Sequence, residues 1–153
     1  MYVESLCPSR ISLIEQYWRQ CHDRNIRLWS NAGIDLHAIP GMPTMDIVSY
    51  TKVGNGRGFD NDQSEIFKVM NRIYSEFPFE VTSSGEDYLE TNFIEPISLE
   101  QAIPLQDVLM SFTIEVLNDA YFRIHGTDNP GFNDETVIAK AIVKHQGFWL
   151  NLG

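Results

Sequence analysis

The sequence predicts an α+β protein: a single compact domain over residues 1–153, mostly helical, with a small antiparallel sheet and a long central helix near residues 104–125. Three observations carry that expectation. Apolar residues recur at steps of three and four in several separate stretches, which is the period of a helix with one buried face. Two short runs rich in β-branched and aromatic residues flank a Ser-Ser-Gly-Glu tract, as the strands of a hairpin would. The 153 residues are 43% hydrophobic, and a chain of this length buries roughly 68 to 70% of its unfolded surface, so one core suffices.

Ser9 precedes Ile11, Ile14, Trp18 and Cys21, spaced by three, four and three, and a helix is expected to about His22. The helical pattern resumes through Ile26, Leu28 and Trp29, with Asn31 and Gly33 as its stop. Residues 33–44 contain Pro40, Gly41 and Pro43 and read as a loop. Residues 45–53 (MDIVSYTKV) have the β-branched content and length of a strand, broken by Gly54, Gly56 and Gly58. Asp60 or Asp62 can cap the next helix, which carries Ile66, Met70, Ile73 and Phe77 and ends at Pro78.

Residues 79–82 (FEVT) and 88–94 (YLETNFI) are the predicted hairpin strands. Ser98 starts a short turn, and Pro104 suits the first turn of the long helix. The apolar stripe of that helix is Leu105, Val108, Leu109, Phe112, Val116, Ala120 and Ile124, with Gly126 as its C-terminal cap. After the GTDNPGFN loop, Asn133 or Asp134 can cap a last helix through Val137, Ile138, Ala141, Ile142 and His145, closed by Gly147. The FWLNLG tail is apolar enough to pack on the body or on a second copy.

Charge is the most informative feature of the chain. The net −10 comes from 11 Lys+Arg against 21 Asp+Glu, yet residues 1–72 and 123–153 each sum to zero. All of the excess lies in residues 73–122, which hold ten acids and neither Lys nor Arg. Such a field repels nucleic acid and anionic lipid and steers basic partners. No apolar run approaches the roughly 18 to 20 residues of a membrane span, and MYVESLCPSR lacks the apolar core of a signal peptide. Cytoplasmic residence follows as the expectation, with Cys7 and Cys21 as reduced structural thiols.

Motifs for chemistry are weak. Gly54, Gly56 and Gly58 lie where a phosphate loop would, but the spacing is G-x-G-x-G and Asp60, Asp62 and Glu65 fill the following helix start with negative charge. Asp60, Asp62 and Ser64 match the first positions of a calcium loop, while its glycine falls on Glu65 and its terminal glutamate on Asn71. His22, His37, His125 and His145 show no zinc spacing, and no nucleophile signature is present. No catalytic residue, metal or cofactor is therefore assigned.

On the long helix, Asp107, Ser111, Glu115, Asn118 and Asp119 form a polar stripe, with Asp107 and Glu115 ~12 Å apart and Glu115 and Asp119 ~6 Å apart at helical rise. These three acids, with Glu86, Asp87, Glu90 and Glu95, are the expected partner-binding residues. The reading is an acidic cytosolic protein that antagonises a basic partner, nucleic-acid-binding or nuclease, as an immunity protein or a viral or phage inhibitor would, with no direct contact to nucleic acid or membrane. Alternatives are an assembly component of a viral or phage particle, self-associating as a homodimer through the C-terminal tail, and a small enzyme with no recognisable site.

Overall fold

The structure, a computed structural model, describes residues 10–31, 35–51, 63–112 and 114–152. Its elements in chain order are α1 (Arg10–Asp23), β1 (Ile26–Asn31), β2 (Asp35–Pro40), α2 (Asp46–Tyr50), α3 (Gln63–Glu76), β3 (Phe79–Ser84), β4 (Tyr88–Phe93), α4 (Leu99–Met110), α5 (Glu115–His125), α6 (Val137–His145) and β5 (Trp149–Asn151). The strands form one sheet in the order β2-β1-β3-β4-β5. Three of its four strand pairs are antiparallel as expected, but β1 and β3 run parallel, so the sheet is mixed rather than antiparallel. The fold is a single compact α+β unit.

Helix α1 ends before Asn25, whose φ of 56° turns the chain out of helical geometry. Residues 26–31 then form a strand, not more helix. Ile26, Leu28 and Trp29 fit either period over so short a stretch, and pairing decides: β1 takes β2 along its full length, from Ile26↔Pro40 to Asn31↔Asp35. The expected 33–44 loop thus contains β2, an edge strand that tolerates Pro40 at its end. Residues 45–51 are not a strand, and Lys52 and Val53 lie outside the described residues. Asp46, Ile47 and Val48 donate their N–H groups to Pro43, Thr44 and Met45, closing tight local turns, and Ile47 and Val48 are buried. The Gly54, Gly56 and Gly58 loop, Asp60 and Asp62 lie outside the described residues.

The hairpin of β3 and β4 and helix α3 stand where expected, with a register shift between Val81 and Ser83. The long helix over 104–125 does not form. It is two helices, α4 and α5, of 12 and 11 residues. At the break, Ser111 Oγ donates to the Val108 carbonyl at 2.6 Å, and Phe112 N–H reaches Leu109 O three residues back. That tightening ends the ladder in a stretch of poor helix formers. Helix α4 also begins earlier than Pro104, at a capping box in which Ser98 accepts from Gln101 N–H and the Gln101 side chain accepts from Ser98 N–H.

Gly126 caps α5 with φ 75°, as predicted. The left-handed cap of α6 is Gln146, not Gly147. Gly147 serves another purpose: a Cβ there would overlap the Thr91 carbonyl, so only glycine lets the chain pass this close to β4. The tail then becomes β5, which pairs with β4, and Phe148, Trp149, Leu150 and Leu152 are buried within the chain itself. The tail thus packs on the body.

One apolar cluster joins Trp29, Phe79, Val81, Leu89 and Phe93 of the sheet to buried residues of α2 to α6. Ile14 of α1 and Leu28 of β1 are buried outside it. Leu28 alternates with Trp29, so α1 covers the opposite face of the sheet. No helix among the described residues is long and apolar enough to cross a membrane.

Candidate functional site

Strand β4 alternates, with Leu89, Thr91 and Phe93 buried toward the core, so Tyr88, Glu90 and Asn92 stand on the face that α1 covers. Register places Glu90 across from Ser83 of β3 on one side and from Trp149 of β5 on the other. These β4 side chains, with Ser30, Thr82, Ser83, His145 and Ile14 and Glu15 of α1, line a cleft of about 300 Å³.

Glu90 is the hub of the cleft. Tyr88 Oη donates to its Oε2 at 2.7 Å, and Arg123 donates through Nη1 and Nη2 to Oε1, both at 3.2 Å. The Arg123 guanidinium also lies 4.2 Å from the centre of the Trp149 ring, which fixes its plane between strand and helix. His145 Nε2 comes within 3.1 Å of Glu90 Oε1, yet it is buried with no aligned hydrogen bond. Burial pushes the His145 imidazole below its usual range, against the pull of the Glu90 carboxylate and with help from Arg123. Burial, followed by the Glu90 charge, pushes the Tyr88 phenol well above its ordinary value. Tyr88 therefore stays a donor, and His145 Nε2 stands unpartnered against a carboxylate oxygen.

Two other polar clusters are structural. Glu80, almost fully buried, accepts from His22 Nδ1 at 2.6 Å and pairs with Arg27 at 3.2 Å, tying α1 to β1 and β3. Burial raises the Glu80 carboxyl above its usual value despite both partners. Asp134 binds His125 and Lys140 and is held below the usual carboxylate range, chiefly by the His125 hydrogen bond. Among the described residues no group of His, Cys, Asp and Glu is placed to hold a metal ion. Cys21 is free and half-buried, and Cys7 lies outside the described residues.

The seven acids singled out in the sequence are scattered. Glu86 is exposed at the β3–β4 turn, and Asp87 beside it is half-buried, its carbonyl accepting from Leu152 N–H. Glu90 is engaged in the cleft. Glu95 is exposed in the turn after β4, and Asp107 is exposed on α4. Glu115 and Asp119 are half-buried on α5, where Asn118 lies near Glu115 and Asn151 donates to Asp119 at 3.0 Å. Because α4 and α5 are separate helices, Asp107 does not continue a ladder with Glu115 and Asp119.

Sequence reasoning missed Tyr88, Arg123, His145 and Glu15 as cleft residues, and counted Glu76 and Glu100 in the acidic segment without placing them among the partner-binding residues. The Tyr88, Glu90, Asn92 alternation within YLETNF was the available signal for a polar sheet face. No protein-family model matches the chain, and no curated protein or solved structure matches it.

Proposed function

We propose that this chain is an acidic binding protein for a basic protein partner, acting in the cytoplasm as an antagonist of a nucleic-acid-binding or nuclease protein. One observation carries the reading. Of the ten acids in residues 73–122, Glu76, Glu86, Glu95, Glu100 and Asp107 are exposed and make no ion pair among the described residues, and the segment holds no Lys or Arg to answer them.

Most of these acids gather near one feature. Helices α3 and α4 flank a groove of about 190 Å³ lined by Ile73, Phe77, Pro104, Leu105 and Val108, with Arg72, Glu76 and Gln101 in its wall. Ile94 N–H donates to Pro78 O at 3.0 Å, which sets Glu95 beside the end of α3. Glu100 precedes Gln101 of the groove wall, and Asp107 precedes Val108. Glu86 sits at the far end of the hairpin. An apolar slot with the Glu76 carboxylate in its wall and further exposed acids on the elements that build it suits an amphipathic segment that carries Lys or Arg beside its apolar anchors.

The test neutralises Glu76→Gln, Glu95→Gln, Glu100→Gln and Asp107→Asn together, with Asp23, Asp35 and Asp46 changed to Asn as the control. Exposed charges contribute at most about 1 kcal/mol each to stability, so both variants should fold. The groove variant should bind a Lys/Leu amphipathic helical peptide at least tenfold more weakly in fluorescence anisotropy, with a flatter salt dependence. Equal losses in the two variants, or none in either, would remove this surface as the interface.

A further inference from the structure

We propose that the cleft between α1 and the sheet is a binding site for an ammonium or guanidinium group. Two buried polar atoms of its lining, His145 Nε2 and Ser30 Oγ, have no hydrogen-bond partner. His145 Nε2 is buried without a hydrogen-bond partner 3.1 Å from Glu90 Oε1, which already accepts from Arg123, so a donor seated there would satisfy the imidazole nitrogen and share the carboxylate. Glu90 Oε2 takes one hydrogen bond, from Tyr88, which leaves it a free lone pair. Ser30, only 3% exposed, lines the same cleft, and its Oγ has no hydrogen-bond partner.

Charge favours a cation. Among the described residues no Lys or Arg lines the cleft, and Glu15 faces it from α1. Arg123 of α5 reaches Glu90 but lines a separate depression with Lys144. Ile14 supplies apolar contact for an alkyl stem, and about 300 Å³ admits a chain of a few carbons. The groups facing His145 are Glu15 of α1, Tyr88, Glu90 and the Thr91 backbone of β4, and Arg123 of α5. A bound cation would add positive charge beside the imidazole and hold it neutral to still lower pH.

The same chemistry belongs to a free small amine and to a Lys or Arg side chain of another protein. The inference stands apart from the exposed acids of the α3–α4 groove, since none of them lines this cleft.

The experiment is an NMR titration of the isotope-labelled chain, reading the His145 imidazole and Ser30 signals. Its probes are n-butylammonium, guanidinium ion, neutral n-butanol, and acetyl-Gly-Lys-Gly-amide. The cations should shift both signals saturably and lower the His145 titration midpoint, while butanol does neither. Binding of the free amine alone supports the proposal and marks a small-molecule site. Binding of the peptide as well supports it and marks a receptor for a partner's side chain. Glu90→Gln should weaken butylammonium at least tenfold, and Asp35→Asn on the edge strand β2 should leave it unchanged. Should Glu90→Gln fail to fold by circular dichroism, the cation-against-alcohol comparison and the His145 midpoint on the native chain decide. Equal shifts by butanol, no saturable shift by any cation, or an unmoved His145 midpoint would overturn the assignment.

Discussion

Arg27→Met tests the buried pair that anchors α1 to the sheet. Arg27 and Glu80 are 6% and 3% exposed, and Arg27 Nη1 lies 3.2 Å from Glu80 Oε1 and 3.0 Å from Thr44 Oγ1. Removing one member of a buried pair strands the other charge, which costs about 3 to 5 kcal/mol. His22 remains on the same carboxylate oxygen at 2.6 Å, so the lower end, about 3 kcal/mol, is the expected loss at pH 7. For a chain of this length that is a fall of about 6 to 12 °C in Tm.

The pH dependence has a definite sign. Glu80 has a folded-state pKa raised above its unfolded value of 4.5, so the native form keeps its proton to higher pH than the unfolded chain does. Ionisation of Glu80 therefore lowers stability as pH rises through its folded pKa, and acidification toward 4.5 restores that stability. Without Arg27 the folded pKa moves higher still, so the deficit of the variant relative to the native chain should shrink between pH 7 and pH 5. Arg27→Met combined with Glu80→Met should recover most of the loss, because an apolar pair leaves no charge buried. Urea unfolding followed by tryptophan fluorescence at both pH values measures each quantity. A deficit under about 1 kcal/mol at pH 7, or one that grows on acidification, would refute the reasoning.

Three further outcomes follow from the packing. Truncation after Gly147 removes the buried Phe148, Trp149, Leu150 and Leu152, worth about 1.5 to 3 kcal/mol each, and should abolish the cooperative unfolding transition, since the sum rivals the whole stability of a domain. Gly147→Ala should destabilise by about 3 kcal/mol or more in urea titration, because its Cβ meets the Thr91 backbone, which cannot swing aside. Ser98→Ala breaks the α4 capping box and should lower stability by about 0.5 to 2 kcal/mol in the same assay, with no loss of helical circular dichroism beyond the first turn.

What was legible in the sequence is what local pattern decides. Helix α3, the β3–β4 hairpin, the α5 cap at Gly126 and helix α6 each rest on spacings within one element. Ile26–Trp29 and residues 45–53 misled because a few apolar residues fit two periods, and only pairing with β2 or the turns from Pro43 onward separates them. The continuous apolar stripe over 105–124 concealed the break at Ser111, since both halves pack on the same α6. The Ser98/Gln101 box was present in the letters and marked the true start of α4. The cleft was not legible at all. Glu90 meets Arg123 33 residues away and His145 on a different helix, and those encounters depend on the β4–β5 register and the close passage at Gly147. Charge counting found the acidic segment but could not tell Glu80 and Glu90, which pair with groups of the chain itself, from Glu76, Glu95 and Glu100, which face solvent.

The central claim is that the α3–α4 groove and its carboxylate rim receive a basic segment. Mapping backbone amide shifts of the labelled chain during titration with the Lys/Leu amphipathic peptide tests it most directly. Saturable shifts should concentrate on Arg72 to Phe77, Glu95 and Gln101 to Val108, and weaken as salt is raised. Shifts spread evenly over the acids, including Glu86 and Asp119, or centred on β2 and α2, would contradict it.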